Sequence, residues 1–300
     1  MTVRGGRGAR ELRVPVRGGE LAVSHWPGAG EPVVALHGIT ANGRAFGALA
    51  EALDVPLHAP DLRGRAGSAG LPGPYGLGTH VEDVLALLDH LGLERAVLVG
   101  HSMGAFTAAL AAARHPDRIA GAVLVDGGVG FPAPEGTDID GLLEAVIGPA
   151  MRRLSMTFPD REAYRAFFRE HPALGPHWCD AVREQVDRDL VGREPALRSS
   201  CVLDAVRADG ADVLADPEVL GAVRAASAAV PLVLLWAERG MLDEPQGLYD
   251  EQRLAAAGLG PRGDVGGVDV RCVPGANHYS VILTPGATGA IRAALRDLAS

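Results

Sequence analysis

The sequence predicts an α/β fold: a mostly parallel eight-stranded sheet with helices on both faces and a helical segment inserted after the sixth strand. Three observations predict it. Short apolar runs alternate with helical patterns over residues 1–128, the rhythm of a parallel sheet built from βα units. The rhythm then stops, and residues 129–229 carry only helical or loop patterns before it resumes. At the centre, Gly100-His101-Ser102-Met103-Gly104 joins a β-branched run to an Ala/Leu-rich stretch, a G-x-S-x-G pattern in strand–turn–helix context. The expected organisation is a core of 1–128 plus 231–300 and a helical cap of 129–230.

The elements follow in order. Residues 11–16 and 20–26 alternate in strand fashion around Arg17-Gly18-Gly19 and read as an antiparallel opening hairpin. Residues 32–36 are a short apolar strand ending in His37-Gly38-Ile39-Thr40, followed by a helix over 43–53. A strand at 55–59 closes on Pro60-Asp61-Leu62-Arg63-Gly64, and the Gly/Pro-rich residues 65–78 read as loop. Val81, Val84, Leu85, Leu88 and Leu91 recur at helical spacing, so 79–91 is a helix, with Thr79 and Glu82 as its capping box. Strand 96–99, helix 103–114 and strand 119–125 follow, the last ending in Asp126-Gly127-Gly128. In the insertion, 141–154, 161–171, 179–190 and 217–228 are the clearest helices. Strand 232–237, a helix near 249–257, strand 268–273 and an amphipathic helix at 286–298 complete the chain.

Composition excludes several function classes. The chain has 300 residues, 47% hydrophobic and 22% charged, ample for a buried core. Its formal net charge of -9 argues against a phosphate-backbone ligand, so no nucleic-acid partner is expected. Its positive charge is all arginine, with no lysine, as expected from compositional bias. No apolar run reaches the ~18–20 residues that span a bilayer. Residues 1–13 are Arg/Gly-rich without an apolar core, so they read as a frayed tail rather than a secretory signal. Cys179, Cys201 and Cys272 are widely spaced and form no C-x-x-C, so reduced thiols in a cytoplasmic protein are expected. The histidines form no ligand cluster, and neither metal nor cofactor is expected. His101 is expected to point away from the site and pack; His171 and His177 are expected at the surface of the insertion.

The chemistry-bearing residues come from the ends of the strands. Acyl transfer needs a hydroxyl, a base beside it, a group that orients the base, and donors for the oxyanion. Ser102 supplies the hydroxyl, on a tight turn that leaves the Met103 N–H at a helix N-terminus. His278, in Pro274-Gly275-Ala276-Asn277-His278, follows the last strand and is the base candidate. The loop His37-Gly38-Ile39 offers Ile39 N–H as the second oxyanion donor beside Met103. The orienting acid is either Asp126, at the end of the sixth strand, or Asp243, with Glu238 a third candidate.

Taken in order, His37-Gly38, Asp61-Leu62-Arg63-Gly64, Gly100-His101-Ser102-Met103-Gly104 and Gly275-Ala276-Asn277-His278 resemble the α/β-hydrolase superfamily over nearly the whole chain. The likeness is to its capped, esterase-like serine members. The resemblance implies the chain order Ser…Asp/Glu…His, a catalytic Ser102–His278 pair and a small ester-like substrate. One position departs from it. The superfamily usually places its acid just after the seventh strand, and here Gly240 stands there, within Trp236-Ala237-Glu238-Arg239-Gly240-Met241-Leu242-Asp243. The expected function is hydrolysis of a small, mostly apolar carboxylic ester through an acyl-enzyme. Lactonase, thioesterase, carbon–carbon bond hydrolase, cofactor-free haloperoxidase-like activity and a non-catalytic binder on the same fold are the alternatives. Phe131, Met156, Phe158, Tyr164, Phe167, Phe168 and Trp178 are the cap side chains available for an acyl pocket, two or three of which are expected to touch substrate.

Overall fold

The computed structural model describes residues 8–131, 138–260 and 265–299. Its strands are β1 (Arg10–Val16), β2 (Gly19–Trp26), β3 (Val33–Leu36), β4 (Leu57–Pro60), β5 (Ala96–His101), β6 (Ile119–Val125), β7 (Leu190–Val191), β8 (Arg198–Ser199), β9 (Leu232–Ala237) and β10 (Val268–Val273). Eight of them form one sheet in the order β1-β2-β4-β3-β5-β6-β9-β10, while β7 and β8 pair with each other inside the insertion. In the large sheet the first two pairings, β1 with β2 and β2 with β4, are antiparallel and the other five are parallel; β7 and β8 pair antiparallel. The fold is therefore the α/β arrangement the βα rhythm predicts. Every residue of β3 and β4 is buried, as an apolar strand covered on both faces requires. Of the expected frayed tail over 1–13, residues 1–7 lie outside the described residues, and from Arg10 the chain is strand rather than frayed.

The helices are α1 (Gly47–Ala52), α2 (Leu77–His90), α3 (Met103–Arg114), α4 (Ile139–Leu154), α5 (Arg161–Arg169), α6 (Asp180–Asp189), α7 (Leu203–Ala215), α8 (Pro217–Ala226), α9 (Glu251–Ala256) and α10 (Pro285–Leu298). One face of the sheet is covered by α2, α3 and α8, and the other by α1 and α10. Each Leu, Ile or Val driven into these layers contributes about 1.5–3 kcal/mol of burial. Although α8 falls within the expected insertion, its Val219, Ala222, Val223 and Ala226 join the sheet's own core. The insertion's own cores are two smaller clusters, one around Phe158, Tyr164 and Val186 and the other around Leu143, Ile147 and Val206.

Two local expectations are corrected. Helix α2 starts at Leu77, before Thr79, and no side chain of its own caps it. The orphan donors at its N-terminus are taken by α7 instead: Gly76 N–H by Asp209 at 2.9 Å and Leu77 N–H by Asp212 at 2.8 Å. Two tertiary carboxylates thus do the work assigned to the capping box. The stretch 43–53 is not one helix but a 3-10 turn, Gly43–Phe46, leading into α1. Its Asn42 caps it, accepting from Arg44 N–H at 3.1 Å.

The insertion is fastened to the core by buried ionic contacts. Asp61, fully buried, accepts from Gly43 N–H and Gly67 N–H at 2.9 Å each and from Arg188 of α6 at 2.8 Å. Arg65 pairs with Asp209 of α7. The amide of Asn42 donates to Gln185 O at 2.9 Å.

Candidate active site

The site is built on the turn between β5 and α3. Ser102 has φ 56 and ψ -124, a left-handed conformation that costs a non-glycine residue energy and persists only where packing fixes it. The packing is glycine-dependent. A Cβ on Gly100 would lie 2.2 Å from Gly104 O, and one on Gly104 would lie 2.0 Å from Leu36 O at the end of β3. A third glycine joins them: a Cβ on Gly127 would lie 2.2 Å from Ser102 O. Gly127 is the part of the turn that the G-x-S-x-G spacing does not reveal, because it comes from the neighbouring strand.

Three side chains meet above the turn. His278 Nε2 lies 3.1 Å from Ser102 Oγ, and its Nδ1 lies 2.6 Å from Asp126 Oδ2. Asp126 is fully buried at the end of β6, with φ 45. Its own N–H donates to Leu235 O at 2.7 Å, and Ala237 N–H donates to its Oδ1 at 3.0 Å. With Oδ1 so occupied, Oδ2 is the oxygen turned to the imidazole. The β6–β9 pairing therefore orients the carboxylate.

Of the two acid candidates, Asp126 contacts His278 and Asp243 does not. Asp243 is held by Arg239 Nε at 2.8 Å and by Asn277 Nδ2 at 3.1 Å, and the Arg239 guanidinium keeps its carboxyl below the usual range. The space at Gly240, where the superfamily's acid would project, is filled by the Glu244 carboxylate, 2.1 Å from an ideal Cβ. Glu238 is drawn into a different task, accepting from Gly275 N–H at 2.7 Å and so shaping the turn before His278.

His101 departs from expectation. It does not simply pack: its Nε2 donates to His278 O at 2.7 Å, and the two rings lie 4.9 Å apart. Burial pushes it down to about 3, so it is the neutral tautomer that holds the His278 backbone. His171 also departs from expectation. It lines the cavity in edge contact with Tyr279, 5.1 Å between centroids.

The oxyanion candidates flank the serine. Met103 is the first residue of α3, so its N–H is one of the helix's unpaired donors. Ile39 lies in the loop after β3. The carbonyl of the Gly38–Ile39 peptide accepts from Ala41 N–H at 3.0 Å and from His37 Nδ1 at 2.7 Å. A planar trans peptide points its N–H opposite its C=O, so the two bonds that hold Gly38 O also aim the Ile39 N–H. His37 accepts from Leu62 N–H at 2.9 Å through its other nitrogen, and burial lowers it to about 3. Gly38 keeps the serine approachable: a Cβ there would lie 3.2 Å from Ser102 Cβ.

Above these groups lies a cavity of about 500 Å³ between the sheet's carboxyl edge and the insertion. Its walls are mostly apolar, with Ile39, Phe106, Leu143, Ile147, Val213 and Leu248 among them. Of the seven cap side chains named from the sequence, Phe131, Phe167 and Phe168 line it. Phe158, Tyr164 and Trp178 instead pack into a separate cluster of the segment between β6 and β9, and Met156 is exposed. Among the described residues, no cluster of His, Cys, Asp and Glu could hold a metal ion, and no helix is long and apolar enough to cross a membrane.

Comparison with known proteins places these features. A family described as alpha/beta hydrolase fold matches residues 31–283. The lipase LipV of Mycobacterium tuberculosis is 36% identical over 116 residues, 38% of this chain and 43% of that protein. A serine hydrolase-like protein of Danio rerio is 36% identical over 198 residues, 62% of this chain and 60% of that one. The matches thus span about half the length of these curated relatives. The crystal structure of E-2-(acetamidomethylene)succinate hydrolase superimposes with a TM-score of 0.76 at 26% identity, covering 96% of this chain and all of that one.

Proposed function

The chain belongs to the alpha/beta hydrolase fold family, a family of hydrolases, and from that membership we propose that it is a serine hydrolase acting on a small, mostly apolar carboxylic ester. The observation that carries the reading is the single imidazole of His278, within hydrogen-bond distance of Ser102 Oγ on one side and of the Asp126 carboxylate on the other. A serine hydroxyl is a poor nucleophile near neutrality and needs such a base. His278 takes the Ser102 proton as Oγ attacks the ester carbonyl. Asp126 holds the Nδ1–H tautomer and stabilises the imidazolium. The amides of Ile39 and Met103 receive the oxyanion. The imidazolium then protonates the leaving alcohol, and water activated by His278 releases the acid from the acyl-enzyme.

The apolar walls of the cavity support an apolar acyl group, and helices α4 to α7 act as the cap that shapes it, while α8 stays with the sheet's core. Three free cysteines fit a reducing compartment, and we read the protein as cytoplasmic. The test is hydrolysis of p-nitrophenyl acetate and butyrate by the wild type and Ser102→Ala side by side. Turnover by the wild type that Ser102→Ala lacks supports the reading. Equal background rates in both would remove these esters as substrates and remove the kinetic support for the triad.

A further inference from the structure

We propose that Arg65 is a positioning residue for the oxyanion site, and that the cap's Asp209 in turn holds it, so that docking of helix α7 completes the reactive geometry. The proposal rests on the serine-hydrolase reading above. Arg65 follows β4 in the run Asp61-Leu62-Arg63-Gly64-Arg65, and its side chain is 1% exposed. Its Nε donates to Ile39 O at 3.0 Å, and its Nη1 donates to Arg63 O at 2.8 Å and pairs with Asp209. Arg65 does not line the cavity, so it acts through Ile39 rather than on substrate.

The geometry gives this contact its consequence. Two peptide planes flank Ile39. The carbonyl of the first, Gly38 O, is held by Ala41 N–H and His37. The carbonyl of the second, Ile39 O, is held by the Arg65 guanidinium, a charge-assisted bond stronger than a neutral one. With both planes fixed, the Ile39 N–H cannot swing away from Ser102 without breaking one of them.

The cap holds Arg65 on three sides. Asp209 of α7 is fully buried and also accepts from His80 Nε2 and Gly76 N–H at 2.9 Å each. Val202 N–H donates to Gly64 O at 2.9 Å, and Ser200 Oγ accepts from Ala66 N–H at 3.0 Å, so cap residues brace the backbone on either side of Arg65. Among the described residues Arg65 Nη2 has no partner although buried. Leaving such a donor unpaired costs stability, and an apolar pair of similar volume would avoid that cost. What an apolar pair cannot do is hold the Ile39 carbonyl.

Three variants test this: Asp209→Asn, Arg65→Lys and the double variant Arg65→Gln/Asp209→Asn, which removes both buried charges together. For each, kcat and KM with p-nitrophenyl butyrate, the rate of Ser102 phosphonylation by a fluorophosphonate, and the melting temperature are measured. The expected result is a fall in kcat of about 10- to 100-fold with KM within about twofold, and a parallel slowing of phosphonylation, since both reactions place charge in the oxyanion site. Arg65→Lys should keep part of the rate, because an ammonium reaches some but not all of the three acceptors. Asp209→Asn keeps the volume of the site and is the variant on which the test rests. If kcat and phosphonylation in Asp209→Asn and the double variant stay within about threefold of wild type, the positioning role is overturned. It is overturned equally if rates fall only where the melting temperature has dropped to that of the assay. A wild type that neither turns over the ester nor reacts with the fluorophosphonate is a different failure. It is visible before any variant is made, and it overturns the serine-hydrolase reading and this proposal together.

Discussion

Replacing Asp126 by Asn probes the site at its most constrained atom. Ala237 N–H donates to Oδ1 at 3.0 Å, and His278 Nδ1 faces Oδ2 at 2.6 Å. In the variant only one of these positions can be an oxygen. Keeping the amide oxygen on Ala237 N–H turns the NH₂ toward Nδ1, which must then accept. The imidazole proton moves to Nε2, where it faces Ser102 Oγ across 3.1 Å and blocks proton uptake. The flipped amide would set NH₂ against Ala237 N–H and leave two buried donors unpaired, at about 1–3 kcal/mol each. The tautomer is therefore wrong in the favoured rotamer. The expected loss in kcat is roughly 10⁴-fold, about 5.4 kcal/mol of barrier, with the fold retained because no volume changes. Steady-state hydrolysis of p-nitrophenyl butyrate reads the rate, and thermal melting reads the fold. Asp243→Asn, which perturbs only Arg239 and Asn277, should change kcat by less than about threefold. A loss below about tenfold in Asp126→Asn, or a large loss in Asp243→Asn instead, would refute the reasoning.

Other outcomes follow from the same contacts. Gly104→Ala puts a Cβ 2.0 Å from Leu36 O, so β3 and α3 must separate; a loss of roughly 2–3 kcal/mol, a melting temperature lower by about 5–10 °C and abolished turnover are expected, read by calorimetry and ester hydrolysis. Phe167→Ala removes an apolar cavity wall, so the preference for butyrate over acetate should shrink by about 5- to 20-fold in kcat/KM, roughly 1–2 kcal/mol of lost burial. His37 and His101 are each lowered to about 3 by burial. Their contribution is present above the unfolded histidine value near 6.5 and is lost as pH falls from there toward 3. Two protons taken up on unfolding make stability drop by roughly 2–3 kcal/mol per pH unit between pH 6 and 5, measurable by urea denaturation at the two pH values.

Much of this molecule is written locally in its chain. The turn at Ser102 is legible because Gly100 and Gly104 are steric requirements between residues close in sequence or on adjoining strands. The sheet is legible because a strand such as β3 is buried on both faces and reads as a plain apolar run. Which of the two aspartates faces His278 is not. Asp126 and Asp243 stand after adjacent strands, and what separates them is the pairing of β6 with β9, which ties Asp126 to Leu235 and Ala237. No spacing along the chain carries that. Helix α7 is not legible for a related reason: Asp209 faces inward and Gly210 packs against Leu143, so its apolar period is broken by residues that serve partners far away in sequence. The role of His101 is likewise set by a contact 177 residues away.

The central claim is that Ser102 is an activated nucleophile, and the most direct measurement is mass spectrometry of the wild type and Ser102→Ala after reaction with a fluorophosphonate. The account predicts one phosphonyl group per wild-type chain, mapped to the peptide containing Ser102, and none on Ser102→Ala. An unlabelled wild type, or a label that persists in Ser102→Ala, would contradict it.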